Sequence, residues 1–60
     1  MNRIKEINRK GYTINLNQND NFTCDVWLFF ANEVTPRFRM ENCESIDKAL
    51  DYAYYFAIRH

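Results

Sequence analysis

Apolar residues recur every three to four positions toward the end of the chain, which is the spacing of one helix face. The repeating positions are Ile46, Ala49, Leu50, Ala53, Phe56 and Ala57. Glu44, Ser45 and Asp47 stand where this stripe begins, and these residue types cap a helix or favour the positive end of its dipole. The pattern predicts a final amphipathic helix that starts near Ser45.

A shorter helical pattern opens the chain. Ile4 and Ile7 lie three positions apart on one helix face, Asn2 is a good N-cap residue, and Gly11 is the residue type that most often ends a helix. These features predict a helix over residues 3–10. With only two core positions, this helix must depend on docking for its stability.

Between the helices the apolar period changes to two, which is typical of strands with one solvated face. Alternation over 12–17 predicts a first strand, and the polar run 17–21 has the composition of a turn. A second strand is predicted over 22–31 and, after a turn at 32–33, a third over 34–40.

Pro36 lies inside the third predicted strand, and a residue without an N–H donor belongs at a sheet edge. The element order therefore predicts an α+β fold of the αβββα type. Three antiparallel strands would form a meander, with the N-terminal and C-terminal helices packed on one face. Residues 1–60 are expected to form a single domain.

The second strand carries more apolar groups than one buried face requires. Its core-facing positions are Cys24, Val26, Leu28 and Phe30. Trp27 and Phe29 then point to the opposite face, which would be flanked by Thr13, Asn15, Arg37 and Arg39. Aromatic rings beside arginine are typical of binding hot spots. We expect a partner-binding site formed by Trp27, Phe29, Arg37 and Arg39, with Glu33 as a further contact.

Three interpretations of this patch remain open. A second copy of the chain, or the loop 17–21, would bury it; a different protein would dock on it; or the rings would stack on the bases of single-stranded nucleic acid. Arg37 and Arg39 favour nucleic acid. Asp25 on the same face and a formal net charge of zero, from eight basic and eight acidic residues, argue against it.

A second candidate surface follows one side of the final helix. It consists of Lys48, Tyr52, Tyr55 and Arg59. Tyrosines in this position either pad the first helix or contact a partner, because the ring is apolar and the hydroxyl stays hydrated.

The composition favours a folded, non-enzymatic chain. A hydrophobic fraction of 47% and an aromatic fraction of 17% exclude a disordered sequence. The two cysteines lack metal-type spacing, and the single histidine and single glycine form no recognisable catalytic or phosphate-binding motif. We expect no cofactor and no metal. Without a run of ~18 apolar residues or a signal segment, we also expect no membrane contact, a cytoplasmic location and reduced thiols.

Three segments carry a family resemblance: 4–7 (IKEI), 10–16 (KGYTINL) and 41–46 (ENCESI). In these segments, and over about residues 3–57, the chain resembles the small type II-A anti-CRISPR proteins of Listeria prophages. Those are αβββα domains that inhibit a CRISPR-Cas effector nuclease by mimicking DNA. The resemblance implies a phage-encoded inhibitor of a bacterial defence complex, acting in the bacterial cytoplasm.

The clustered acids on which DNA mimicry depends are missing at matching positions. Gly11 stands where that family has an acid, and the segment 32–35 contains only one, Glu33. The resemblance therefore implies a similar scaffold and an inhibitory role. The chain lacks the acidic residues on which the DNA-mimic mechanism depends.

Overall fold

The computed structural model describes residues 2–60, which form two helices and one three-stranded sheet. The elements are α1 (Arg3–Arg9), β1 (Tyr12–Gln18), β2 (Cys24–Phe30), β3 (Phe38–Cys43) and α2 (Ile46–Arg59). The strands are antiparallel and lie in the order β1-β2-β3. The predicted αβββα arrangement is confirmed, with β2 at the centre of the sheet.

Both helices begin at the predicted capping residues. The Asn2 side chain accepts a hydrogen bond from the Lys5 N–H at 3.1 Å, and the Ser45 hydroxyl accepts one from the Lys48 N–H at 3.2 Å. Each cap satisfies one backbone N–H that the first helical turn leaves without a partner.

Gly11 ends α1 and starts the turn into β1. Its φ of +96° lies in a region that side chains with a Cβ rarely adopt. A Cβ on this residue would also lie 3.0 Å from the ring of Phe30. The position therefore requires glycine for two separate reasons.

The buried core lies between the helices and one face of the sheet. Its residues are Ile7, Tyr12, Cys24, Val26, Leu28, Cys43, Ala49, Ala53 and Ala57. Cys24, Val26 and Leu28 alternate along β2, and the three alanines line one side of α2. Since all of them share one core, both helices cover the same face of the sheet, as predicted.

Three residues predicted on buried faces lie at the margin of this core. Ile4 and Leu16 are each 39% exposed, and Ile46 is 46% exposed. Each stands near an end of its helix or strand. The periodic patterns were right about the faces and wrong about the depth of burial at their ends.

Two strands begin later than predicted. Phe22 and Val34, expected in β2 and β3, lie in the preceding loops and are 84% and 91% exposed. β3 starts at Phe38, so Pro36 precedes the strand. Phe22 has a φ of 67°, which is incompatible with extended strand backbone. Apolar, strand-favouring residue types in turns caused both errors.

An aromatic cluster closes one end of the core. Tyr12 meets Phe30 and Phe56 edge to face, with ring centroids 5.1 and 5.9 Å apart, and Phe38 lies 5.1 Å from Phe56. Edge-to-face pairs of this kind add to the stability that area burial supplies. The cluster holds the Phe30 ring on the helix-covered side of the sheet.

The short helix α1 is held by polar contacts of Arg3 to α2 and by one fully buried side chain. The Arg3 guanidinium binds the carboxylates of Asp47, at 2.7 Å, and Asp51. Ile7 is fully buried in the core. A helix of seven residues is not stable alone in water, so these contacts maintain it.

Replacing Gly11 by Ala should destabilise the fold by about 1–3 kcal/mol, because the new Cβ meets positive φ and the Phe30 ring together. Urea unfolding followed by circular dichroism measures the change. Asn8→Ala, an exposed substitution in α1, serves as the control and should leave the midpoint nearly unchanged. Equal midpoints for Gly11→Ala and the wild type would contradict the prediction.

Candidate functional site

The sheet face opposite the helices presents the two surplus aromatic rings of β2. The strand register places Trp27 between Asn15 on β1 and Arg39 on β3, and places Phe29 beside Thr13. We call these five residues the open face. Directly opposed residues of antiparallel strands share a face, so their side chains form one continuous surface.

Trp27 lies at the centre of the open face and is partly exposed. Within residues 2–60 its indole N–H donates no hydrogen bond, and no buried side-chain nitrogen or oxygen there lacks a partner. The N–H therefore reaches solvent. A large ring with an available donor has the properties of an interface anchor.

Arg39 supplies the positive charge of the open face. Its side chain is 63% exposed, and the carboxylate of Glu41 approaches its Nε only to 3.8 Å. A surface ion pair at this distance contributes little to stability, and a partner's acceptor can replace the Glu41 carboxylate. The guanidinium is therefore available to a partner that lies against Trp27.

The prediction that Arg37 flanks Phe29 was wrong. Its guanidinium lies over the ring of Phe30, 4.5 Å from the centroid, on the helix-covered side. It also donates two hydrogen bonds to the carboxylate of Glu33, at 2.9 and 2.7 Å, which lowers the pKa of Glu33. The residue precedes β3, so strand alternation does not govern its side chain. Two predicted contacts, Arg37 and Glu33, are thus engaged with each other.

Asp25 is buried at one end of the open face, with 8% of its surface exposed. The register of β2 against β3 shifts here, so that Glu41 and Asn42 together lie opposite this one residue. Asn42 has a φ of 60°, and its N–H donates to the Asp25 carboxylate at 2.9 Å. The carboxylate therefore satisfies a backbone donor that the β-bulge leaves unpaired.

The loop between β1 and β2 completes the environment of Asp25. The Asn19 amide donates to the same carboxylate oxygen at 2.9 Å and to the Thr23 hydroxyl at 3.0 Å. The backbone bond from Asn42 first, and then the Asn19 amide, lower the pKa of Asp25. Asn19 thus ties the loop 17–21 to the Asp25 end of the face, while Trp27 stays partly exposed.

Phe22 is an exposed contact candidate that sequence reasoning missed. Its ring is 84% exposed at the tip of the same loop, on a residue with positive φ. Bulky residues hold this conformation only where surrounding bonds impose it. Here the Phe22 N–H donates to the Asn19 carbonyl at 3.1 Å, and the Asn19 N–H donates to the Thr23 carbonyl at 2.8 Å.

The second surface exists as a groove along α2. Lys48, Tyr52 and Tyr55 line it together with Asp51, and Arg59 lies 6.0 Å from the Tyr55 ring. Tyr52 and Tyr55 are 48% and 51% exposed, so about half of each side chain faces solvent. The Arg3 guanidinium of α1 contacts Asp47 on the same helix as these tyrosines.

The described residues offer few groups for chemistry. Residues 2–60 contain no cluster of three or more potential metal ligands. Neither α1 nor α2 has the length and apolar character of a transmembrane segment.

Comparisons with protein-family models, curated proteins and solved structures found no match for this chain. The open face is therefore interpreted from its own geometry. The resemblance noted in the three short segments contributes only an expected class of target.

The low pKa of Asp25 predicts a specific loss of stability in acid. A carboxyl whose pKa is lower in the folded than in the unfolded state stabilises the fold above its unfolded pKa of ~3.9. That contribution disappears as the pH falls through the lower folded value. Urea unfolding at pH 7 and pH 3 should therefore show a smaller acid-induced loss for Asp25→Asn than for the wild type.

Glu33→Gln is the control for this experiment. The Glu33 pair with Arg37 is exposed to solvent and contributes little to stability. This variant should keep nearly the wild-type dependence on pH. An Asp25→Asn variant that loses as much stability in acid as the wild type would show that the bulge does not depend on the carboxylate.

Proposed function

We propose that this chain is a non-enzymatic binding protein that docks through its open face on a bacterial protein complex and blocks that complex sterically. The observation that carries the proposal is the Trp27 ring, partly exposed and with its N–H free, at the centre of a face without a covering helix in residues 2–60. Such a ring favours a partner that removes it from water.

The surroundings of Trp27 match the anatomy of a protein interface. Thr13 and Asn15 provide small polar groups on one side, and Arg39 provides an exposed guanidinium on the other. Interfaces concentrate their binding free energy in central aromatic and arginine side chains, while a polar rim excludes water. The open face has this arrangement on a small scale.

The same geometry favours protein over single-stranded nucleic acid. Phosphate recognition requires several free cations, and Arg37 is turned away and neutralised by Glu33. Arg39 then remains, with the Glu41 carboxylate 3.8 Å from its Nε, on a chain with zero formal net charge. These charges do not form the basic groove that follows the phosphate backbone of a single strand.

The class of target follows from the resemblance to type II-A anti-CRISPR proteins. It supports a phage-encoded inhibitor of a CRISPR-Cas effector nuclease in the bacterial cytoplasm. The open face supports a contact that uses aromatic and arginine side chains, in contrast to DNA mimicry through acidic clusters. A second copy of this chain is the competing occupant of the same face.

Replacing Trp27 by Ala should weaken inhibition of a purified type II-A effector nuclease by about 30-fold, the loss typical of a central hot-spot residue. The measurement is cleavage of target DNA by the guide-loaded nuclease at rising inhibitor concentration. Tyr52→Ala removes an exposed ring on α2, outside the open face, and is the control. It should inhibit like the wild type, and both variants should keep the wild-type circular dichroism.

If Trp27→Ala inhibits at the same concentration as the wild type, or if only Tyr52→Ala loses inhibition, the contact lies elsewhere on the chain. Binding of a single-stranded oligonucleotide that weakens steeply with salt would favour the nucleic-acid alternative. A sedimentation mass that rises above 7.3 kDa with concentration would indicate self-association through the open face.

A further inference from the structure

The two cysteines meet on the helix-covered side of the sheet. Cys24 on β2 is directly opposite Cys43 on β3 in the antiparallel register. Both are free thiols, and they are 1% and 6% exposed. Roughly 20 positions separate them along the chain, so their sequence spacing predicts no contact, and only the register of β2 with β3 brings them together.

The backbone geometry of such a pair suits a disulfide. Directly opposed residues in antiparallel strands have Cα atoms ~4.5–5.5 Å apart. Disulfides accept Cα separations of ~4.4–6.8 Å, so the backbone spacing is compatible with the bond, and closing it draws the two Cβ atoms together. At present the Cys24 thiol makes only a weak hydrogen bond, to the Asp25 carbonyl at 3.5 Å. Oxidation of Cys24 would therefore remove only this weak hydrogen bond.

We propose that Cys24 and Cys43 form an oxidisable dithiol that closes a cross-strand disulfide by exchange with a low-molecular-weight disulfide of the glutathione type. The Cys43 thiolate attacks one sulfur of the small disulfide, forming a mixed disulfide and releasing one small thiolate. The Cys24 thiolate then attacks the Cys43 sulfur and releases the second small thiol. The protein gives up two electrons and two protons, and the small disulfide is reduced to two thiols.

Cys43 is the first thiol to react. It ends the edge strand β3 and is the more exposed of the two, whereas Cys24 lies on the central strand. Burial raises the pKa of Cys43, so its thiolate is scarce at neutral pH and the exchange accelerates as the pH rises. Reaction proceeds through transient opening of the end of β3, since an edge strand is held on one side only.

This site is independent of the proposed binding function. Cys24 and Cys43 belong to the buried core, while Trp27 points to the opposite side of the sheet. Closing the bond would tie β3 to β2 just before the Ser45 cap of α2. A failure of the inhibition assay would therefore leave the dithiol proposal unaffected, and the reverse also holds.

The test compares the effective concentration of the two thiols in the folded and unfolded chain. The protein is equilibrated with mixtures of reduced and oxidised glutathione in native buffer and in concentrated urea, then alkylated and weighed by mass spectrometry. Because a disulfide that suits the fold stabilises it, the folded chain should oxidise at roughly 100-fold lower glutathione disulfide than the unfolded chain.

Cys24→Ser is the control, because Cys43 in this variant can form only the mixed disulfide. Its mass should rise by one glutathione, whereas the wild type should lose two hydrogens. An effective concentration in native buffer no higher than in urea would overturn the proposal. A wild-type product that stops at the mixed disulfide, or that is a disulfide-linked dimer, would overturn it as well.

Discussion

Helices packed on one side of a sheet can cover only one of its faces, and β2 carries large apolar side chains on both. Val26 and Leu28 are fully buried beneath the helices, while Trp27 and Phe29 face away from them. Thr13, Asn15 and Arg39 flank these rings, which stay partly exposed. The open face follows from this mismatch between one central strand and one layer of helices.

Polar contacts at one end of the sheet order the margin of the open face. There Asp25 accepts hydrogen bonds from Asn42 and Asn19 across the β-bulge. At the other end the exposed pair of Glu33 and Arg37 contributes little. A surface whose frame is already ordered loses less conformational entropy when a partner binds it.

Sequence periodicity predicts the elements and the sheet face on which Trp27 and Phe29 lie, because helix caps and strand alternation are local. Asn2, Gly11 and Ser45 mark helix boundaries, and alternation along β2 separates Trp27 from the core. Features set by the register of distant strands are not encoded locally. The bulge at Asp25, the side of the sheet taken by Arg37 and the pairing of Cys24 with Cys43 all depend on that register. Exposed apolar residues in turns, such as Phe22, resemble strand residues in composition alone.

Trp27 is the single tryptophan of the chain, so its fluorescence reports directly on the open face. The most direct measurement is quenching of this emission by iodide in the native protein, compared with the urea-unfolded chain. A ring that is partly exposed predicts substantial quenching in the native state, lower than in urea. Native emission that iodide does not quench until the chain unfolds would contradict the central claim, because Trp27 would then be buried within its own fold.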